Sequence, residues 1–376
     1  MQLDRRDLML LRLAGIYRWL PFDSLNNFGF DGLIEDTGTL VNSGLLSVSR
    51  SGKFCKLTAR GYRFLQERGC PCMTKARRPC DNDPALRRRL ETASVMLTAL
   101  RAGIDPLRDH VDALHNQPVF LPAFVLRTGQ GNLMNAASCI GFGHWGDNAY
   151  MIQYVGPNNR GMFLTNELTH FNHLASVFDA RRHTPMSLIF AGPNYKQIYD
   201  RLHKRLPTDG YRGKGYVDFA DAYKQADLPI HLLSCNETGA RQLAVMMTPD
   251  YKTRIARVSF GESWQPIDPG IPEADGCVNG NPLVIALDMD LRRVEHVIDA
   301  ARRQGRRETM VAALLEQNRA FYLEILPKGK FVIPLSIKPE ILEMAFGKPL
   351  SLYRMEREAT PVLHWEGFHT SEKGDG

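Results

Sequence analysis

The sequence predicts an α+β and α/β protein in two unequal parts: an N-terminal winged helix-turn-helix, then a linking helix and a larger α/β domain with a mixed sheet. Three observations carry that expectation. Residues 1–68 run helix, helix, helix, hairpin, helix in their hydrophobic spacing and turn chemistry. From about Pro118 onward, short apolar runs alternate with amphipathic stretches, the texture of a sheet with crossover helices. The positive charge is lopsided: residues 1–90 hold 16 Lys and Arg against 9 Asp and Glu, a net of +7, whereas the whole chain is +6. At 376 residues, with 44% apolar and 23% charged, the chain is long enough for more than one core and has the composition of a soluble globular protein.

Asp4 can cap a first helix over residues 4–17, in which Leu8, Leu11 and Ala14 share one face. Pro21 restarts the chain into a short second helix over residues 22–28, Gly29 breaks it, and a third helix over residues 31–43 ends at Gly44 as a left-handed cap. Two short apolar runs then flank the turn Arg50-Ser51-Gly52-Lys53, which makes a hairpin, the wing. Thr58 caps a last helix that turns Tyr62 and Leu65 inward.

Residues 69–117 are expected to be a linker and a linking helix. Gly69, Pro71, Pro79 and Pro84 punctuate the linker. From Pro84 to Gly103 the stripe Leu86, Leu90, Ala93, Leu97 and Leu100 needs a covering surface, either the α/β domain or a second copy of the chain, so a homodimer is one expectation. Arg87, Arg88 and Arg89 read as a solvated face. In the α/β domain, residues 118–365, strands are expected over 119–126, 149–155, 161–165, 186–192, 228–233 and 282–287. Helices are expected over 166–178, 195–206, 220–226, 291–303 and 308–318, with a strand pair over 321–326 and 331–337 around Pro327-Lys328-Gly329-Lys330. Residues 366–376 read as a disordered tail, and no internal repeat stands out.

A basic end of this kind is rewarded by a phosphate backbone through counterion release, so the expected partner is duplex DNA. Arg50, Lys53, Lys56 and Arg60, on or beside the wing, are the expected phosphate contacts; Thr37, Thr39, Asn42 and Ser43 on the third helix can read bases. That helix also carries Asp31, Glu35 and Asp36 and no Lys or Arg, so it offers no guanidinium to a guanine edge. A protein-protein adaptor whose winged helix never touches DNA fits the same element order.

The segment Leu57-Thr58-Ala59-Arg60-Gly61-Tyr62-Arg63-Phe64-Leu65 closes this end, before a basic helix and an α/β part with strands at Tyr150 to Val155 and Leu188 to Gly192. That layout resembles the replication-relaxation family of bacterial plasmids and integrative elements, over roughly residues 5–206, with Leu-Thr-x-x-Gly as its one compact motif. The resemblance implies a DNA-binding accessory or regulator of replication or conjugative transfer on a mobile element, working with other replication or transfer proteins. It also implies a degenerate restriction-endonuclease-like fold in the α/β domain, and it carries over no catalytic residue.

The rival class is a metal-dependent enzyme acting on phosphodiesters. Such a fold needs an acid on one strand and an acid-x-Lys pair on the next. Asp147 and Glu167 stand nearest, but Leu168 and Thr169 follow Glu167, so the lysine is missing. Glu167, His170 and His173 share helical spacing and can begin a metal site with Asp147 or His144, although two histidines on a half-buried helix are the plainer reading. Asp288-Met289-Asp290 has the form of a magnesium-binding Asp-x-Asp; the plainer reading is that Asp290 caps the helix starting near Leu291. Gly129-Gln130-Gly131 and the Gly156 to Gly161 segment read as hairpin turns rather than nucleotide loops. Cys70, Cys72 and Cys80 lack a fourth zinc ligand, and the seven scattered cysteines read as reduced thiols. With no secretory leader and no run of about 20 apolar residues, a cytoplasmic protein without a cofactor is expected.

Overall fold

The computed structural model describes residues 3, 5–22, 33–70, 72, 84–107, 118–125, 139–146, 148–156, 162–164, 185–203, 216–225, 228–306, 309–326 and 332–353. Among them lie eleven helices and fifteen strands in a mixed α and β arrangement. The N-terminal elements are α1 (Arg5–Tyr17), β1 (Leu20–Pro21), α2 (Leu33–Asn42), β2 (Leu46–Val48), β3 (Phe54–Leu57) and α3 (Ala59–Gln66). β3 is the middle strand, antiparallel to β1 through Leu20↔Cys55 and to β2 through Leu46↔Leu57. The sequence pattern does not predict β1, because Pro21 reads as a break. It is tolerated at the sheet edge, where a missing N–H costs no ladder bond. The expected second helix lies outside the described residues except for Phe22.

Two predicted caps hold this region together. Gly44 has φ +72 and donates to Val41 O, while Leu45 donates to Leu40 O, which ends α2 in the left-handed manner expected of glycine. The Thr58 hydroxyl accepts from Gly61 N at 3.0 Å and donates to Gly44 O at 2.6 Å. One side chain therefore caps α3 and satisfies a carbonyl at the end of α2. Tyr62 and Leu65 are buried as their spacing predicts.

The linking helix is α4 (Pro84–Ala102), and its stripe is covered by the same chain. Leu86 packs with Trp19 and Phe54, with Leu90 alongside. Ala93, Leu97 and Leu100 enter one core with Leu10 and Tyr17 on the N-terminal side and Phe120, Trp145 and Ile152 on the sheet side. The Tyr17 hydroxyl donates to Pro106 O, and its ring stacks on Phe120. The Leu-rich surface that could have paired two copies is thus spent inside one.

The α/β part holds two five-stranded mixed sheets. The first has the order β4 (Val119–Pro122), β5 (Cys139–Trp145), β6 (Asn148–Tyr154), β8 (Met186–Gly192), β10 (Ile230–Ser234), antiparallel at the first two steps and parallel at the last two. The second has the order β11 (Trp264–Gln265), β12 (Cys277–Val278), β13 (Asn281–Ile285), β14 (Thr309–Leu315), β15 (Val332–Ile337), again antiparallel twice and parallel twice. The two sheets share one wiring, although the sequence shows no repeat. A separate antiparallel pair joins β7 (Met162–Leu164) to β9 (Tyr216–Asp218). Helices α5 (Tyr195–His203) and α6 (Phe219–Gln225) precede β10, α7 (Glu237–Met246) packs along α4, and α8 (Tyr251–Phe260) precedes β11. In the second unit α9 (Leu291–Arg303) and α10 (Glu316–Ile325) connect the parallel strands, and α11 (Pro339–Phe346) follows β15. Phe190 and Leu232 of the first unit share a core with Val284 and Ala286 of the second.

Two segments differ from expectation. Residues 309–315, expected in a helix, form β14, and residues 321–326, expected in a strand, lie almost wholly in α10. β14 is flanked by parallel strands on both sides, so its uniform apolar run suits a central strand as well as a buried helix. Asn318 and Tyr322, four apart and both fully buried, mark the inner face of α10. β5 escapes the sequence pattern because Gly141 and Gly143 look like loop punctuation; in the sheet a Cβ at either would collide with the rings of Phe120 or Trp145. No helix among the described residues is long and apolar enough to cross a membrane.

Candidate nucleic-acid interface

α2 presents two faces. Thr37 and Leu40 point into the core, Thr37 being 4% exposed, while Gly38, Thr39 and Asn42 lie outside. Thr37 is therefore not placed to read bases: it sits one turn before Leu40 on the packed side. Ser43 is half-buried and its hydroxyl donates to Leu40 O at 2.9 Å, a bond that finishes the helix. Thr39 and Asn42 keep exposed side chains. The side chains of Glu35 and Asp36, and all of Asp31, lie outside the described residues.

The hairpin throws its cations outward. Ser49 N donates to Phe54 O at 2.8 Å, and Gly52, with φ +69, donates to Ser49 O. The Ser49 hydroxyl accepts from the N–H groups of Lys53 and Phe54. With these bonds closing the turn, Arg50 and Lys53 stand exposed at the tip. Lys56, opposite Ser47 in the ladder, is half-buried. Arg60 is exposed on α3, its Nη1 3.9 Å from where a Cβ on Gly44 would lie, beside the C-terminal end of α2 where a cation is favoured.

The basic run on α4 is less available than its sequence suggests. Arg88 donates to Cys139 O at 2.7 Å, and the Arg89 guanidinium lies 3.7 Å over the Phe124 ring. Both long stems serve the fold, and Arg87 alone of the three is exposed.

Of the carboxylates weighed as metal ligands, Asp288 and Asp290 are among the described residues. Asp147, Glu167, His170, His173 and Cys80 lie outside the described residues, while His144 is half-buried in β5. Asp290 caps α9, accepting from Arg293 N at 3.1 Å. Asp288, 2% exposed, sits between Lys252 Nζ at 2.8 Å and Arg293 Nη2 at 3.5 Å; Arg293 also binds Asp275 at 2.5 Å. Burial alone would push the Asp288 carboxyl up, but Lys252, Arg293 and His231 hold it well below the usual carboxylate range. The protein's own cations occupy the places a divalent ion would need around Asp288. The peptide carbonyl of Asp288 accepts from Gln242 Nε2 at 2.9 Å and lies 3.0 Å from His231 Nδ1. The aspartate thus ties the second unit to β10 and α7 of the first.

Sequence reasoning flagged Asp288 but missed Lys252, Arg293 and Asp275, which come from other elements and share no motif with it. Among the described residues no group of three or more His, Cys, Asp and Glu side chains is arranged to hold a metal. An open cleft of about 500 Å³ at the carboxyl ends of β6, β8 and β10 is lined by Ser94, Tyr154, Cys235 and the start of α7. Burial raises the Cys235 thiol to about 12, which disfavours the thiolate. Glu91 beside the cleft is raised to about 7 by burial, against the pull of Arg87 and Arg88. Compared with known proteins, the chain matches no family model, no curated protein and no solved structure.

Proposed function

We propose that the chain binds duplex DNA through an N-terminal winged helix-turn-helix, as a regulator or accessory of replication or conjugative transfer on a bacterial mobile element. The observation that carries the reading is the three-stranded β1-β3-β2 sheet, in which α2 leads into a hairpin whose tip exposes Arg50 and Lys53. The tip supplies phosphate contacts, with Lys56 and Arg60 behind it, while Thr39 and Asn42 face the groove. The larger part takes a binding or assembly role on a degenerate restriction-endonuclease-like fold. In support, α4 is followed by antiparallel β4, β5 and β6 and then by β8 parallel to β6, while β5 and β6 contain no Asp, Glu or Lys to hold a metal or a water.

Fluorescence anisotropy of the full chain with labelled duplex DNA, across a salt series, tests the reading. Replacing Arg50, Lys53 and Lys56 together by Ala should weaken binding to every duplex and flatten the slope of log K against log salt by about 2 to 3. Equal affinity and slope in the two proteins at low salt would favour a protein-protein adaptor instead.

A further inference from the structure

Gly38 lies inside α2 on its exposed face, and a Cβ there would meet no atom within 4 Å. Alanine is the better helix former, because glycine has more backbone freedom to lose. Among the described residues, then, this glycine weakens a helix and relieves no clash. Gly61 in α3 is the contrast: a Cβ there would lie 2.3 Å from Leu45 O, so packing demands the glycine. A glycine on an exposed helical face also permits close approach of the helix backbone to something outside the chain.

The surroundings say what that is. Thr39 and Asn42, its neighbours on the exposed arc, have short side chains, so they reach a base edge only if the helix sits deep in a groove. Residues 33–70, which build α2, the hairpin and α3, carry six Lys and Arg against three acids, two of which, Glu35 and Asp36, lie on α2 itself; the surplus of cations, all on the hairpin, α3 and its C-terminal end, is complementary to a polyanion. We propose that Gly38 is the point of closest approach of α2 to the major groove of duplex DNA, set there so that Asn42 can pair its amide with an adenine edge while Thr39 touches the adjoining base. The proposal rests on the DNA-binding reading and adds to it a contact mode and a base preference.

The test uses the full chain, a random-sequence duplex pool to enrich preferred sites, and anisotropy on the enriched duplex. Gly38→Ala should melt at a higher temperature than the wild type yet bind the enriched duplex about tenfold more weakly, and Gly38→Leu should bind more weakly still. Asn42→Ala should relax the preference at one A·T position. A variant that gains stability while losing affinity cannot be explained by a role in folding. If Gly38→Ala and Gly38→Leu bind like the wild type while the triple replacement of Arg50, Lys53 and Lys56 loses affinity, DNA binding stands and the close-approach proposal is overturned. If the wild type binds no duplex at low salt, both fall together.

Discussion

Asp288 shows how much one residue depends on partners its own segment does not contain. Its carboxylate is buried between Lys252 and Arg293, so removing the charge leaves two cations without their shared anion. Asp288→Asn should destabilise the chain at pH 7 by about 3 kcal/mol, read as a lower urea midpoint. The sign of the pH effect follows from a carboxyl held below its usual range. Its contribution is present above about pH 4, the unfolded value, and is lost as pH falls through the lower folded one. The difference between wild type and variant should therefore shrink on acidification below about pH 4. A difference that stayed constant down to acid denaturation would mean that the charge is not what the site uses. The Asp-x-Asp pattern was legible in the sequence, and so was the helix cap at Asp290. What the pattern left out was Lys252, brought in by α8, and Arg293, one turn into α9.

At the scale of the element, Thr58 is the joint between α2 and α3. Its hydroxyl serves Gly61 N and Gly44 O at once, so Thr58→Ala loses a cap and strands a carbonyl. The expected cost is about 1 to 2 kcal/mol by chemical denaturation, with Thr58→Ser retaining most of the stability. A Thr58→Ala protein as stable as the wild type would show that solvent replaces both bonds. Caps of this kind are readable in sequence because they are local. The exchange of helix and strand over residues 309–326 has the opposite cause: an apolar run of six residues, 310–315, satisfies either geometry, and β13 and β15 on its two sides select the strand.

At the scale of the molecule, α4 joins the N-terminal helices and the first sheet into one core. Tyr17 lies against Phe120 and Phe124, and Trp19 and Phe54 are closed over by Leu86. A fragment of residues 1–68 would leave these surfaces in water at about 1.5 to 3 kcal/mol for each large side chain. It should show no cooperative thermal transition by circular dichroism, whereas the full chain should. A sharp melt of the fragment near that of the full chain would establish an independent domain. For the same reason the proposed DNA binding is to be measured on the full chain, and the α4 stripe gives no ground for expecting a dimer.

The sequence by itself determined the elements whose signals are local: the left-handed cap at Gly44, the Thr58 cap, the hairpin around Gly52, the length of α4, and α9 behind Asp290. Each depends on hydrogen bonds or turn geometry within a few residues, so composition and spacing suffice. Only the tertiary structure decided which face of α2 is outside, with Thr37 inward and Thr39 outward, since that choice depends on where the rest of the core lies. It alone also turned Arg88 and Arg89 from solvated charges into packing, and bound the Asp288 carboxylate to the protein's own cations. The matching wiring of the two sheets is likewise a property of strand pairing between distant segments. Burial and pairing at long range are set by the whole arrangement of the chain, and no short window of sequence contains it.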